Sequence, residues 1–101
     1  MPEFGKLVVF GTGLIGGSFA LALKEAGAVE EVVGFGRTPA TLRSAQQLGV
    51  IDRAGINPNH EIEDADIILV ATPVAQMTEI FHRIAPYLWP NTIVTDGRSN
   101  K

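Results

Sequence analysis

Three glycines stand at the spacing G-x-G-x-x-G, in Gly11-Thr12-Gly13-Leu14-Ile15-Gly16, directly after the apolar run Lys6-Leu7-Val8-Val9-Phe10. What such a loop offers is backbone chemistry. The first glycine permits a tight turn, the second lets a pyrophosphate approach the main chain without meeting a Cβ, and the third lets the following helix pack close to the sheet. The free N–H groups and positive end of a helix starting at Leu14 then face the phosphates. Residues 11–18 also match the spacing of a nucleoside-triphosphate loop. Gly17, however, stands where that loop needs a lysine, so the cation that reaches the outer phosphates is missing. The plainer alternative is a tight turn with close packing and no ligand. The strand before the glycines and the helix after them favour dinucleotide binding.

A dinucleotide is also read at the end of the second strand, about 20 residues on, where a carboxylate accepts hydrogen bonds from the ribose hydroxyls of NAD. Here that end reads Gly36-Arg37-Thr38, and Glu30 and Glu31 lie at the strand's beginning, the wrong edge of a parallel sheet. Without a carboxylate nothing repels a 2′-phosphate, and Arg37 can pair with that phosphate or stack on adenine. A plain surface arginine is the competing reading. NADP is therefore expected to bind at least as well as NAD.

The elements that must position these residues follow from pattern. The run 6–10 is too short for a helix and stops at glycine, so it reads as a buried strand. Leu14 to Ala26 is apolar nearly all round, with Gly27 at the position of a helix-ending glycine, and reads as a largely buried helix. Residues 31–36 form a second strand. Thr38 then caps, and Pro39 opens, a helix carrying Leu42, Ala45 and Leu48 and closing at Gly49. The stretch 50–59 is turn-rich, with a short strand around Gly55-Ile56. Ile67 to Ala71 is the clearest strand, and Thr72-Pro73 ends it. Met77, Ile80, Phe81, Ile84 and Leu88 make one helical stripe, and Thr92 to Thr95 a last strand. Apolar strands alternating with helices predict an α/β fold, a doubly wound parallel sheet with the first strand central.

Composition agrees. The 101 residues are 46% hydrophobic and carry 8 Lys+Arg against 11 Asp+Glu, a net charge of −3, which fits one globular domain and leaves no basic footprint for nucleic acid. Cysteine is absent, which removes disulfides, thiolate zinc sites and thiol nucleophiles, and no metal is expected. No apolar stretch reaches the ~20 residues of a bilayer span and no signal peptide opens the chain, so a cytoplasmic protein without membrane contact is expected. The acidic cluster Glu61, Glu63, Asp64 and Asp66 reads as a solvated loop and helix surface.

Several segments together carry a family resemblance: Val9-Phe10-Gly11-Thr12-Gly13-Leu14-Ile15-Gly16-Gly17-Ser18, the turn Gly49-Val50-Ile51-Asp52, Ala65-Asp66 leading into the strand at 67 and Thr72-Pro73-Val74, and Ile93-Val94-Thr95-Asp96 to Ser99 and Lys101. The chain resembles the prephenate dehydrogenase family, which includes arogenate and cyclohexadienyl dehydrogenases. The resemblance implies a Rossmann-type NAD(P)-binding domain and oxidative decarboxylation of prephenate or arogenate, on the route to tyrosine, with hydride passing to NAD or NADP. It implies that Gly11, Gly13 and Gly16 hold the pyrophosphate, that Arg37 sits by the adenosine ribose and that Thr72-Pro73 lie along the cofactor. Ser99 matches a family serine near the nicotinamide and the substrate's ring hydroxyl; a capping or loop hydroxyl is its other reading.

The family's catalytic histidine, in a His-Pro segment, and its helical dimerisation and substrate domain come after the serine motif. Neither His60 nor His82 matches that motif. Residues 1–101 are therefore expected to be the dinucleotide-binding domain of a homodimeric enzyme, binding cofactor without turning over substrate alone. Two alternatives share the early βαβ pattern: a non-catalytic NAD(P)-sensing regulatory module, and the nucleotide domain of another oxidoreductase such as a pyrroline-carboxylate reductase or hydroxyacid dehydrogenase.

Overall fold

Side chains alternate across a strand, so an uninterrupted apolar run such as 7–10 needs cover on both of its faces. The computed structural model, which describes residues 4–11, 14–36, 38–72 and 74–96, supplies that cover. Its sheet has five strands: β1 (Phe4–Phe10), β2 (Val29–Phe35), β3 (Arg53–Ala54), β4 (Ile67–Val70) and β5 (Ile93–Asp96). Their order is β3-β2-β1-β4-β5 and every pairing is parallel, with β1 central, as expected from sequence. Helices α1 (Leu14–Glu25) and α2 (Pro39–Gln47) cover one face, where Ala20 and Ala45 meet Leu7, Val9, Val32 and Leu69. Helices α3 (Pro58–Glu63) and α4 (Val74–Ile84) cover the other, where Ile62, Met77 and Ile84 meet Val8, Val33, Ile68 and Val70.

Local chemistry sets the helix ends. After α1 the Gly27 N–H donates to Lys24 O and the Ala28 N–H to Leu23 O; after α2 the Gly49 N–H donates to Gln46 O and the Val50 N–H to Ala45 O. Both are the paired closure that a left-handed residue permits. Thr38 Oγ1 accepts from the Thr41 N–H at 3.2 Å and Pro39 takes the first turn, as its sequence predicts.

Four expectations need correction. Helix α1 is not largely buried: it lies on the sheet by one side, leaving Phe19 and Leu21 38% and 36% exposed, because among the described residues nothing packs on its outer side. The short strand falls at 53–54, and Ile56 is 95% exposed. Residues 58–63 form the extra helix α3, begun by Asn57, whose Oδ1 accepts from the Asn59 N–H, and by Pro58. Helix α4 ends at Ile84, and Leu88 is reached through a tight 3₁₀ turn at Ala85–Tyr87 rather than by the same helix.

The acidic cluster is also not uniformly solvated. Glu61 is only 8% exposed, and Lys6 of β1 equally so; Lys6 Nζ donates to Glu61 Oε1 at 2.7 Å. Arg53 of β3 donates through Nη1 and Nη2 to the two Glu61 oxygens at 2.7 and 2.9 Å, and through Nε to Glu31 Oε2 at 2.9 Å. A charge at this depth is tolerated only because each lone pair facing inward meets a donor. Asp66, from the same cluster, accepts the Gly5 N–H at 2.6 Å and so ties the start of β4 to β1. Asp52 bridges Lys24 of α1, at 2.8 Å, and the Val32 N–H of β2, at 2.7 Å. Burial pushes the Asp52 carboxyl up, but those two hydrogen bonds together hold it below its ordinary value.

The Arg53 hydrogen bonds first, with help from Lys6, outweigh burial and hold the Glu61 carboxyl down at about 2 against an ordinary 4.5. A depressed carboxyl contributes stability that is present above its unfolded value and lost as pH falls towards the folded one, here from 4.5 down to about 2. Glu61→Gln should therefore lower stability at neutral pH by about 2 kcal/mol, because Lys6 loses its buried counter-charge while half-exposed Arg53 regains water. Urea unfolding at neutral and acid pH checks this: the gap between wild type and variant should shrink as pH falls through that window.

Candidate functional site

The loop after β1 is built by close approach. The Gly11 N–H donates to Phe35 O at 2.8 Å and the Ala71 N–H donates to Phe10 O at 2.8 Å, drawing the carboxyl ends of β2, β1 and β4 to one edge of the sheet. Gly11 has φ +90°, and a Cβ there would stand 2.8 Å from Ala71 O. A Cβ on Gly16 would collide with Gly11 O, so the first turn of α1 lies directly against the strand's exit. Both residues are glycines for a physical reason that the loop motif anticipates. Helix α1 begins at Leu14, which puts its amino end at this edge.

Beside the turn opens a cleft of about 280 Å³ between the sheet and α4. Gly11 and Gly36 supply backbone, Phe10 and Phe35 an apolar wall, and Gln76, Ile80 and Arg83 the helix side. The two phenylalanine rings stack with centroids 5.2 Å apart and planes at 14°. Thr72 also lines the cleft, and its Oγ1 is buried with no hydrogen-bond partner among the described residues. An unpaired buried hydroxyl is costly, and a polar group entering the cleft would satisfy it. The volume suits part of a dinucleotide rather than a whole one. A glycine-walled helix terminus beside a flat apolar slot with an unpaired hydroxyl fits a phosphate-linked planar group.

The structure brings Gly11, Gly16, Gly36 and Thr72 together at this edge. Thr38 is exposed beyond β2, with its hydroxyl engaged in the α2 cap and 2.8 Å from Thr41 Oγ1. Leu14 and Ile15 contribute the first backbone of α1. Thr12, Gly13, Arg37, Pro73 and Ser99 lie outside the described residues. Glu30 and Glu31 stand near the amino end of β2, away from this edge, and neither lines the cleft. His60 and His82 are both exposed and line no part of it. Gln76 and Arg83 escaped the sequence reading, which had Ile80 only as part of the helix's apolar stripe. With Ile80 they stand at i, i+4 and i+7 along α4, but both are polar, so no apolar periodicity marked them.

This arrangement finds its counterpart among known proteins. Residues 19–101 match the family model of the prephenate dehydrogenase nucleotide-binding domain. The chain belongs to that family. Prephenate dehydrogenase of Lactococcus lactis subsp. cremoris is 34% identical over 97 residues, covering 95% of this chain and 27% of that protein. That span takes in the glycine turn, which precedes the family match. Arogenate dehydrogenase of Synechocystis is similar in structure, with a TM-score of 0.78 at 33% identity over 90% of this chain and 32% of that one. Prephenate dehydrogenase from A. aeolicus, in complex with hydroxyphenyl propionate and NAD+, gives 0.79 at 29% identity over 91% and 32%. The chain thus spans about a quarter of the length of the curated relative, and what it shares with the family is the Rossmann-type nucleotide-binding domain.

The glycine turn makes a sharp expectation for stability. Gly16→Ala should cost about 1–3 kcal/mol, since the methyl group must displace backbone rather than a flexible side chain. Gly27→Ala, where a Cβ meets nothing within 4 Å, should cost only about 1 kcal/mol from its left-handed backbone. Denaturant midpoints of the two variants measured side by side check the order.

Proposed function

We propose that residues 1–101 are the dinucleotide-binding domain of a prephenate or arogenate dehydrogenase, an oxidoreductase of tyrosine biosynthesis that couples oxidative decarboxylation to nicotinamide reduction. The observation that carries this reading is the glycine turn at the carboxyl end of the central strand, with Gly16 packed against the Gly11 carbonyl beside the Thr72-lined cleft. Backbone of Gly11, Thr12, Gly13, Leu14, Ile15 and Gly16 holds the pyrophosphate. Gly36, Arg37 and Thr38 take the adenosine ribose, and Thr72 and Pro73 lie along the cofactor towards its reactive end. Ser99 stands by the nicotinamide and the substrate's ring hydroxyl. Bound NAD or NADP supplies the hydride acceptor. The A. aeolicus relative, in complex with NAD+ and hydroxyphenyl propionate, supports a nicotinamide cofactor and an aromatic-acid-like substrate. The enzyme is a cytoplasmic homodimer on this reading; among the described residues no helix is long and apolar enough to cross a membrane.

Cofactor choice follows from the end of β2. The sequence at that end, Gly36-Arg37-Thr38, holds no carboxylate to oppose a 2′-phosphate, and Arg37 adds a cation. A charge-assisted contact in water contributes about 1.5 kcal/mol, near the low end of its range. Calorimetric titration should give NADP an affinity at least equal to that of NAD. Arg37→Ala should weaken NADP about tenfold and leave NAD nearly unchanged. A clear preference for NAD in the wild type, or an unchanged NADP affinity in the variant, would contradict the assignment.

Proton handling is a separate matter. A general acid or base works at about 2.6–3.2 Å from its target, and neither histidine of the chain lines the cleft. With prephenate and either cofactor, the purified 101 residues should bind nucleotide and produce no reduced nicotinamide, as followed by absorbance.

A further inference from the structure

We propose that Arg83 holds the adenine ring of the cofactor against the phenylalanine wall of the cleft, and does so alike for NAD and NADP. This rests on the cofactor reading above. The cleft touches Phe35 at the end of β2 and Gly36 just beyond it, on the side of the glycine turn where a dinucleotide fold reads the adenosine half. Its walls suit a flat base: the Phe10 and Phe35 rings on the sheet side, and the Gln76, Ile80 and Arg83 stripe of α4 on the other.

Arg83 is the cation at this cleft with no other task among the described residues. Lys6, Lys24 and Arg53 are all in ion pairs. Arg43 is on α2 and does not line the cleft, whereas Arg83 does and forms no ion pair or hydrogen bond with a described residue. A guanidinium is planar and weakly hydrated, so it lies over a purine face with little desolvation cost, and its N–H groups can donate to ring nitrogens at the same time. Gln76, two stripe positions away, offers an amide with both a donor and an acceptor to the base edge. Arg83 thus acts on the base, while the ribose position is left to residues at the end of β2. It therefore contributes alike to NAD and NADP, whatever group the ribose carries.

Calorimetric titration of ADP, NAD and NADP into the wild type, Arg83→Ala and Arg83→Lys tests this, with thermal melting of each ligand-free protein alongside. The expected result is that Arg83→Ala weakens all three ligands by the same factor, about fivefold. Arg83→Lys should recover little of it, since an ammonium has no plane to stack, and the melting temperature should not move, since Arg83 is exposed and unpaired. Equal affinities in wild type and Arg83→Ala would overturn the assignment. So would a loss confined to NADP, which would put Arg83 on the 2′-phosphate, and so would full recovery in Arg83→Lys, which would mean general attraction of an anion. A lowered melting temperature in Arg83→Ala would make its role structural. A wild type that binds none of the three ligands defeats the cofactor reading itself, whereas a binding wild type with an indifferent Arg83→Ala defeats only the role given to Arg83.

Discussion

The approach of Gly16 to the Gly11 carbonyl is the contact on which the rest of this domain depends. A parallel sheet covered on both faces needs its first crossover helix to leave the central strand at once and fold back over it. Here the reversal is so tight that residue 16 has no room for a Cβ, and residue 11 has none beside the Ala71 carbonyl. The missing side chains serve two ends. They let α1 lie against β1 and the exit of β4, and they leave backbone bare where a phosphate would approach. Packing and ligand access are thus one constraint, and a substitution that disturbs the first disturbs the second.

On the opposite face of the sheet, charge does what apolar packing does elsewhere. Helix α3 has six residues, too few to hold together without tertiary contacts. It is anchored by Ile62 in the core and by Glu61, which gathers Lys6 from β1 and Arg53 from β3. Buried ion pairs contribute little net stability against a well-packed apolar alternative, but they are particular about partners. Three elements meet at one carboxylate, and that sets where α3 lies. Because Pro58 at the head of the same helix lines the cleft, the ion cluster also shapes the wall of that cleft. The frame and the site are coupled through a single turn of helix.

Membership of the prephenate dehydrogenase family gives this geometry its chemical context, and the division of labour within the domain follows from its two faces. The α1 and α2 side is apolar where it buries the strand residues 7, 9, 32 and 69, with the part-exposed Lys24–Asp52 pair at its margin. The α3 and α4 side is apolar at the middle of the sheet, ionic around Lys6 and mixed at the cleft. Variation in polarity is thus concentrated on the side where a ligand would lie. Phe10 belongs to both settings, as a member of the buried core and as part of the cleft wall.

Much of this was legible in the residues themselves. The apolar runs at 7–10 and 67–70 need burial on two sides, which only a covered parallel sheet provides, and the glycines at 27 and 49 stop helices wherever they fall. The glycine turn was legible for the same reason: it depends on what the backbone of a few adjacent residues can do. Short elements were harder. Asn57-Pro58 was a helix start in plain sight, but six residues show too little periodicity to register, and a two-residue strand shows none. Glu61 looked solvated because its neighbours are acidic; its partners lie 55 residues back in Lys6 and 8 back in Arg53, and no local pattern reveals them. The cleft belongs to the same class, since Phe35, Thr72 and Arg83 meet only when β2, β4 and α4 are assembled. By itself the chain determined whatever acts between near neighbours along the backbone: period, turns, caps and the bare glycine loop. Tertiary structure decided which charges are buried together and which side chains face one another across a gap, because those energies arise only when distant segments exclude water from the same place.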